Sequence, residues 1–127
     1  MPSRKTVGNL GEAVAAKRLI ECGFVIRARN WRPRAATGTS HGELDIVATR
    51  GETVHFVEVR TRRSTRFGSP GESIGPRKRA KLLVTAQAYL VEHALLDRIW
   101  MIDAVLIELD SRSQIQRYDH IENAVDG

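Results

Sequence analysis

The sequence predicts one α/β domain over residues 1–127, with a mixed central sheet flanked by helices in the order α-β-β-β-α-β-β. Three observations predict this fold class. Two segments carry helical start and stop residues, several short runs alternate as strands do, and one long run is almost continuously apolar. The chain has 127 residues, enough to bury one hydrophobic core. It contains no glycine-rich phosphate loop, and the element order is not that of a doubly wound βαβ array.

The first half of the chain is predicted to form a helix, a strand and a hairpin. The helix covers about 6–22, where a threonine can cap the start and a glycine follows the end. The segment "FVIRARNW", residues 24–31, alternates as a strand does. The segment "GELDIVATRGETVHFVEVRTR", residues 42–62, predicts two strands joined by a tight turn at Arg50–Gly51.

The second half is predicted to form one helix and two strands. Proline is favoured at a first helical position, so a helix is expected over 76–92. Residues 98–109 predict a strand covered on both faces, and residues 114–121 a final strand. Two long loops, about 33–41 and 62–74, are expected to be mobile. The apolar stripe of the helix is predicted to comprise Ala80, Leu83, Val84, Ala88 and Val91.

The charge is distributed unevenly along the chain. Residues 1–82 hold seventeen Lys and Arg against seven Asp and Glu, whereas residues 83–127 hold three against eight. A basic bulk of this kind favours a polyanionic partner for the first two-thirds of the chain. The alternative is a solvated basic surface that only aids solubility.

Other residues indicate the cellular compartment and the roles of isolated polar side chains. No apolar run approaches the roughly 20 residues that span a bilayer, and one cysteine suits a reducing compartment, so a cytoplasmic location away from membranes is expected. Asp103 interrupts the apolar strand and is expected to be a buried structural carboxylate with a hydrogen-bond partner. Four histidines lack zinc-ligand spacing and are predicted to be solvated or packing residues: His41, His55, His93 and His120.

The hairpin is unusually rich in acids on one face. Side chains alternate faces along a strand, and a turn at Arg50–Gly51 would pair Glu43 with Glu58. Asp45 would then be a diagonal neighbour of Glu58, at ~7–8 Å, with Arg60 on the same face. Like charges this close destabilise a hairpin unless a cation neutralises them, and Mg²⁺ binds through one or two carboxylates. Alternatively, Arg60 and other basic residues simply pair with the acids on a wet sheet face.

Glu12 adds a third carboxylate to this prediction. It shares a side of the first helix with a small apolar patch, so it is expected to pack against the sheet. The alternative is an acid in the first turn, stabilised there by the helix dipole.

Basic residues dominate the segment that follows the acids. Cations at a helix N-terminus oppose the macrodipole, which indicates another use for them, and phosphate is attracted both to helix N-termini and to basic side chains. Contacts of this type read backbone or shape rather than base sequence. A flexible solvated loop is the alternative. Residues 60–81 contain one acid, Glu72, and eight cations. The cations are Arg60, Arg62, Arg63, Arg66, Arg77, Lys78, Arg79 and Lys81.

Several motifs in order resemble a known family. The segments "GNLGEAVAAKRL", "ARNWR", "GELDIVA", "FVEVRTR", "FGSPGESI" and "IENA" are similar to the YraN-type family of small bacterial proteins of uncharacterised function. The match runs from Gly8 to Ala124. This family is in turn similar to Holliday-junction resolvases and restriction enzymes, the PD-(D/E)-X-K nuclease-like superfamily. The resemblance implies a restriction-endonuclease-like mixed sheet flanked by helices, and a homodimer by analogy.

The resemblance also implies a role for each matching residue. Asp45 matches the metal-binding Asp and Glu58 the acid of the E-X-K element, with Mg²⁺ or Mn²⁺ as the ion. Glu12 matches the helix-borne acid of the resolvase-like branch, and the carbonyl of Val59 would supply a further metal ligand. Arg60 stands where the motif has Lys. Arginine can stabilise charge on phosphate, but it is a poor general base because it effectively never loses its proton.

Two principal functions follow from this resemblance. The chain is expected to be a metal-dependent endonuclease that hydrolyses phosphodiesters in structured or branched DNA, gripping the backbone through its basic residues. The Arg60 departure supports the alternative, a catalytically inactive nuclease-fold module that binds nucleic acid. A protein-interaction scaffold without a nucleic-acid role is a third hypothesis.

Overall fold

The computed structural model describes residues 4–34, 42–63 and 74–125. It confirms the α/β class and the predicted element order. The elements are α1 (Arg4–Glu21), β1 (Val25–Trp31), β2 (Leu44–Arg50), β3 (Thr53–Arg63), α2 (Pro76–Glu92), β4 (Trp100–Leu109) and β5 (Ile115–Ile121).

The five strands form one mixed sheet in the spatial order β1-β2-β3-β4-β5. β1, β2 and β3 pair antiparallel, β3 and β4 pair parallel, and β5 returns antiparallel to β4. Parallel neighbours need a crossover connection, and α2 belongs to the connection between β3 and β4. β4 is buried along most of its length, which confirms the strand covered on both faces.

One helix covers each face of the sheet. On one face, α1 packs through Ala15 and Leu19 into a buried cluster that includes Ile46, Val57 and Val105. The opposite cluster, beneath α2, comprises Leu44, Val47, Val54, Phe56, Ile74, Leu82, Ala86, Tyr89, Leu90, Ile102 and Val125. The alternative that basic residues pair with the acids on a wet face is wrong about the water, because Val47 and Phe56 share that face of the hairpin and are buried under α2. Its expected pairing does occur at one acid, since Lys78 Nζ lies 3.2 Å from Glu58 Oε1.

The two strands of the hairpin pair in a different register from the predicted one, because the turn lies one residue later in the chain. The two-residue turn is Gly51–Glu52 rather than Arg50–Gly51, and Arg50 pairs with Thr53. Gly51 has φ 62°, the left-handed value that a type II′ turn requires at its first central position. The acids stay on one face because the register moves by an even number of residues. Continued by one step beyond Ile46 and Val57, the ladder brings Asp45 opposite Glu58.

Two further expectations need correction. β3 extends to Arg63, so Arg62 and Arg63 lie in a strand rather than in a mobile loop. Most of the predicted loops, 35–41 and 64–73, lies outside the described residues. The predicted apolar stripe of α2 is wrong, because none of its five residues is buried and the helix turns another side to the sheet. That side includes a threonine and a tyrosine, which a purely apolar pattern omits. The buried stripe comprises Leu82, Thr85, Ala86, Tyr89 and Leu90.

The two polar members of that stripe have partners or packing that compensate their burial. The Thr85 hydroxyl donates to the Lys81 carbonyl at 2.7 Å and accepts from the Gly42 N–H at 2.9 Å. The Tyr89 ring lies between Trp31 and Phe56, with centroid distances of 5.1 and 5.7 Å. A buried hydroxyl costs little when it is hydrogen-bonded, so Thr85 suits the core. Tyr89 suits it through the contacts of its ring.

Asp103 is fully buried and hydrogen-bonded, as predicted. Its Oδ2 accepts from His55 Nδ1 at 2.7 Å and from His120 Nε2 at 2.9 Å, and its Oδ1 accepts from the Asn123 N–H at 3.0 Å. Burial acts to raise the pKa of Asp103, but the hydrogen bonds from His120, His55 and Asn123 outweigh burial and lower the pKa. His55 is buried, and besides its hydrogen bond to Asp103 its ring packs against Phe24, with ring centroids 4.9 Å apart. His41 lies outside the described residues.

None of the helices described here is long and apolar enough to cross a membrane.

Helix α1 approaches β3 closely at one position. A Cβ added to Gly11 would lie 1.8 Å from Thr61 Oγ1 and 2.9 Å from Thr61 Cβ. Only glycine fits there without displacing the helix or the strand. Because Glu12 is the next residue, this contact also sets how near that carboxylate comes to the sheet.

Gly11→Ala is expected to destabilise the fold by about 1–3 kcal/mol, the usual cost of forcing extra volume into a packed site. Gly8→Ala is the matched control, because a Cβ there meets no atom of the described residues within 4 Å. The control should be neutral or stabilising by roughly 0.5–1 kcal/mol, since alanine is the better helix former. Urea unfolding measures both, and equal stability of the two variants would contradict the close approach.

Candidate metal centre

Asp45 and Glu58 come together under α2. Asp45 lies near the start of β2, and Glu58 lies in the middle of β3 on the same face. The Asp45 side chain is fixed by the backbone of β3, because its Oδ2 accepts the Val59 N–H at 2.8 Å. The sequence-predicted pair is therefore on one face, and one member is held by the main chain of the other's strand.

Glu58 is a buried acid whose two oxygens differ. Only 7% of its side chain is exposed, and Oε1 lies 3.2 Å from Lys78 Nζ on α2. Oε2 is buried and has no hydrogen-bond partner within the described residues. A buried carboxylate oxygen without a partner costs free energy. A cation bound at Oε2 would remove that cost.

This environment shifts the pKa of Asp45. Burial, and then the neighbouring carboxylate of Glu58, raises the pKa of Asp45 from 3.8 to about 7. The Val59 hydrogen bond opposes that rise, Glu12 adds to it, and the charge of Lys78 opposes it. At Asp45, the repulsion from Glu58 therefore exceeds the attraction of Lys78. A divalent cation between them would supply the missing positive charge.

Glu12 also raises the pKa of Asp45, but less than Glu58 does. In the described part of the chain, the oxygens of Glu12, Asp45 and Glu58 do not all lie within 4.8 Å of one another. Instead, Asn30 Nδ2 donates to Glu12 Oε1 at 2.8 Å and to Glu43 Oε1 at 3.0 Å. The expectation that Glu12 packs towards the sheet is confirmed, and its position suits an outer partner of the metal site.

Asn30 is a site residue that sequence reasoning missed. It has φ 52° within β1, a conformation that asparagine tolerates better than most residues. This turns its amide towards two carboxylates from different elements. The alternation of β1 gave no indication of this role, because Asn30 meets Glu12 and Glu43 only through tertiary packing.

The predicted cations occupy different places. Arg60 is half-buried on β3, two residues beyond Glu58 and on the same face. Arg63 donates to the Asp110 carbonyl at 3.3 Å and to Ser113 Oγ at 3.0 Å, so it is tied to the connection between β4 and β5. Arg66 lies outside the described residues. The remaining predicted cations are exposed in the first turn and a half of α2, and Lys78 is the one that reaches Glu58. These cations are Arg77, Lys78, Arg79 and Lys81.

The donor atoms fit a hard dication. Two carboxylates offer only oxygen, and Mg²⁺ typically takes one or two carboxylates and keeps several waters. Glu58 Oε2 has no other partner in the described structure. Asp45 Oδ1 is the second oxygen of the carboxylate that the Val59 N–H orients. Lys78 would yield Glu58 to such an ion readily, because 47% of its side chain is exposed and can move to water.

The raised pKa of Asp45 predicts a pH-dependent stability. The folded protein keeps a proton on Asp45 up to about pH 7, whereas the unfolded chain releases it near 3.8. The contribution of this group to the free energy of unfolding therefore falls as pH rises from about 4 to about 7. Asp45→Asn keeps an acceptor for the Val59 N–H and removes the charge. Without divalent ions, the variant should melt above wild type at pH 8, with a difference that shrinks towards pH 4.

Thermal unfolding followed by circular dichroism measures that difference, and about 1 kcal/mol moves the Tm of a domain this size by roughly 2–8 °C. Asp97→Asn, at an exposed position, is the control and should show no comparable trend. An Asp45→Asn difference equal at both pH values would show that Asp45 ionises in the folded protein as it does in the unfolded chain.

Comparison with known proteins identifies the family but no activity. Residues 11–125 match the profile of Uncharacterised protein family UPF0102. The chain is 39% identical over 122 residues to a UPF0102 protein of Moorella thermoacetica, covering 96% of this chain and 97% of that one. It is 41% identical over 128 residues to a UPF0102 protein of Roseiflexus castenholzii, covering 99% and 98%. The motif-based resemblance is confirmed at the family level, and the chain belongs to Uncharacterised protein family UPF0102.

Proposed function

We propose that this protein is a Mg²⁺- or Mn²⁺-dependent nuclease-like enzyme that hydrolyses phosphodiester bonds in structured or branched DNA. The observation that carries the proposal is the buried Oε2 of Glu58, beside Asp45, which has no hydrogen-bond partner among the described residues. A purely structural pair would be expected to use both Glu58 oxygens. The motif resemblance to resolvases and restriction enzymes supports the same assignment.

Each residue of the centre has a distinct task under this proposal. Asp45 and Glu58 hold the dication, and the Val59 N–H keeps the Asp45 carboxylate turned towards it. The carbonyl of Val59 is a further predicted ligand. Arg60 positions the scissile phosphate, and Glu12 adds negative charge at the margin of the site. When bound, the ion lowers the pKa of a coordinated water and offsets charge on the phosphate and leaving oxygen.

The start of α2 suits the flanking DNA backbone. The N-cap is Gly75, which makes no side-chain capping hydrogen bond, and Pro76 follows at the first helical position. The N–H groups of the first turn are consequently uncapped by a side chain there, and exposed cations surround them. Phosphate binds favourably to such an end, and the binding is independent of base sequence.

A catalytically inactive nucleic-acid-binding module is the second candidate, and the Arg60 position favours it. An arginine cannot accept a proton at neutral pH, so catalysis would depend on the ion alone to activate water. The two candidates share the DNA-binding surface and differ only in whether bond cleavage follows binding.

Cleavage is predicted to depend on both acids. Glu58→Gln and Asp45→Asn should each lower Mn²⁺-dependent cleavage of a four-way junction by more than the roughly 10–100-fold that follows loss of an outer partner of a metal. Glu92→Gln is the matched control, since this exposed glutamate ends α2 far from its first turn. The screen should include nicked, single-stranded and RNA substrates, and Arg60→Lys should cleave at least as fast as wild type.

The outcomes separate the two candidates. Cleavage that survives both acid substitutions would overturn the proposed centre. Junction binding with no cleavage by wild type or Arg60→Lys, in either metal, would establish the inactive module instead.

Binding to DNA is predicted to weaken steeply with salt through the start of α2. Each neutralised phosphate contact changes the slope of log K against log salt by about 0.9 on duplex DNA. The double variant Arg77→Gln/Arg79→Gln should therefore lower the slope by about 2. Arg112→Gln/Arg117→Gln removes the same charge from the connection before β5 and from β5 itself, and should leave the slope unchanged. Fluorescence anisotropy between 50 and 300 mM salt measures both, and equal slopes would exclude α2 from the interface.

A further inference from the structure

A second ionisable cluster lies on the other face of the sheet. His55 and Glu58 are three residues apart on β3, so their side chains project from opposite faces. His55 is buried next to Phe24, on the side covered by α1. Asp103 lies beside it on the parallel strand β4, and Glu122 directly follows β5. This cluster is independent of the acids proposed for nuclease chemistry.

The cluster brings three donor atoms together. His55 Nδ1 lies 2.7 Å from Asp103 Oδ2 and 3.8 Å from Glu122 Oε1, and all three atoms lie within 4.8 Å of one another. His120 Nε2 lies 2.9 Å from the same Asp103 oxygen. The other Asp103 oxygen is held by the Asn123 N–H at 3.0 Å. The carboxylate is thus fixed on one side and presents its second oxygen to the two imidazoles.

We propose that His55 Nδ1, Asp103 Oδ2 and Glu122 Oε1 form a binding site for a transition-metal dication of the Zn²⁺ type, with His120 as the positioning residue of Asp103. On binding, the proton that His55 Nδ1 donates to Asp103 leaves to solvent or passes to Nε2 of the same ring, so that a metal–nitrogen bond replaces this hydrogen bond. Tetrahedral Zn²⁺ with bonds of 2.0–2.2 Å holds its ligand atoms about 3.3 Å apart. Two of the three ligand spacings, 2.7 and 3.8 Å, bracket that value, and the Asp103 and Glu122 oxygens lie within 4.8 Å of each other. Side-chain movements of roughly an ångström would therefore bring all three atoms to tetrahedral spacing. The fourth position would be filled by water.

The donor chemistry separates this cluster from the acid pair. An imidazole nitrogen with two carboxylates suits Zn²⁺ and Co²⁺, whereas oxygen donors alone suit Mg²⁺ and Mn²⁺. Access is available from one side, because 44% of the Glu122 side chain and 19% of the His120 side chain are exposed, while His55 and Asp103 are buried. A chain with both sites would therefore bind two different classes of cation on opposite faces of one sheet.

The site would fasten the segment after β5 to the sheet. Glu122 begins that segment, the Asn123 N–H binds Asp103, and the Ala124 N–H binds the Ile102 carbonyl at 2.8 Å. Val125 is then buried in the cluster beneath α2. An ion that links Glu122 to β3 and β4 binds only the folded state, so it should raise the unfolding temperature.

Arg50 supplies a matched control. Its Nη2 lies 2.7 Å from Glu122 Oε1, the atom assigned to the metal. Glu122→Gln and Arg50→Gln both break this ion pair, but only the first removes a ligand. Glu122→Gln should lower Zn²⁺ affinity at least tenfold, and Arg50→Gln should leave it unchanged or raise it, because the guanidinium competes for the same oxygen.

Isothermal titration with Zn²⁺, on tag-free full-length protein carrying Asp45→Asn and Glu58→Gln, tests the proposal without the acid pair. One equivalent should bind, Co²⁺ should give the visible spectrum of a four-coordinate site, and Tm should rise with Zn²⁺. His55→Gln and Glu122→Gln should lose binding, and His93→Gln should keep it.

Two results would overturn the zinc site. One is an absence of stoichiometric binding in this background. The other is undiminished binding in both Glu122→Gln and His55→Gln. Neither bears on nuclease activity, which the Mn²⁺ cleavage assay decides separately.

Discussion

The structure depends on how one buried carboxylate, that of Glu58, is accommodated between the sheet and α2. Burying a charge is costly unless a partner compensates it, and within the described part of the chain Lys78 lies against one Glu58 oxygen while the other has no hydrogen-bond partner. The facing Asp45 adds a second acid, which is held by a backbone N–H and whose pKa burial raises to about 7. The arrangement costs stability in the absence of an ion, which is a reason to expect a binding role for these residues.

The acid pair is buried because each face of the five-stranded sheet is covered by one helix. Alternation along β3 sends Val57 to the α1 cluster and Phe56 to the α2 cluster. The polar residues on either side of this pair, His55 and Glu58, are buried with them. Glu58 then meets the first turn of α2, and His55 meets Asp103 on the other face. A strand packed on both sides can thus carry two polar groups only if each finds a partner on its own side.

The fold and the pairing of the acids were predictable because both depend on local periodicity. Alternation placed Asp45 and Glu58 on one face, and an error of two residues in register preserved that face. The turn was misplaced because a glycine suits either central position until its φ is known. The contact of Lys78 with Glu58, the bridging by Asn30 and the histidine pair around Asp103 were not predictable, because each joins elements distant in sequence through tertiary packing.

The position of Lys78 connects the proposed metal centre to the proposed DNA surface. While no dication occupies the centre, Lys78 neutralises Glu58 at 3.2 Å. A dication taken up by Glu58 would replace that ion pair and release the ammonium group at the uncapped start of α2, among three exposed cations. The released charge would then lie where a phosphate is attracted by both the helix dipole and the side chains. Metal uptake would therefore strengthen backbone binding beside the site, which gives Lys78 a use that a lysine within the E-X-K element itself would not have.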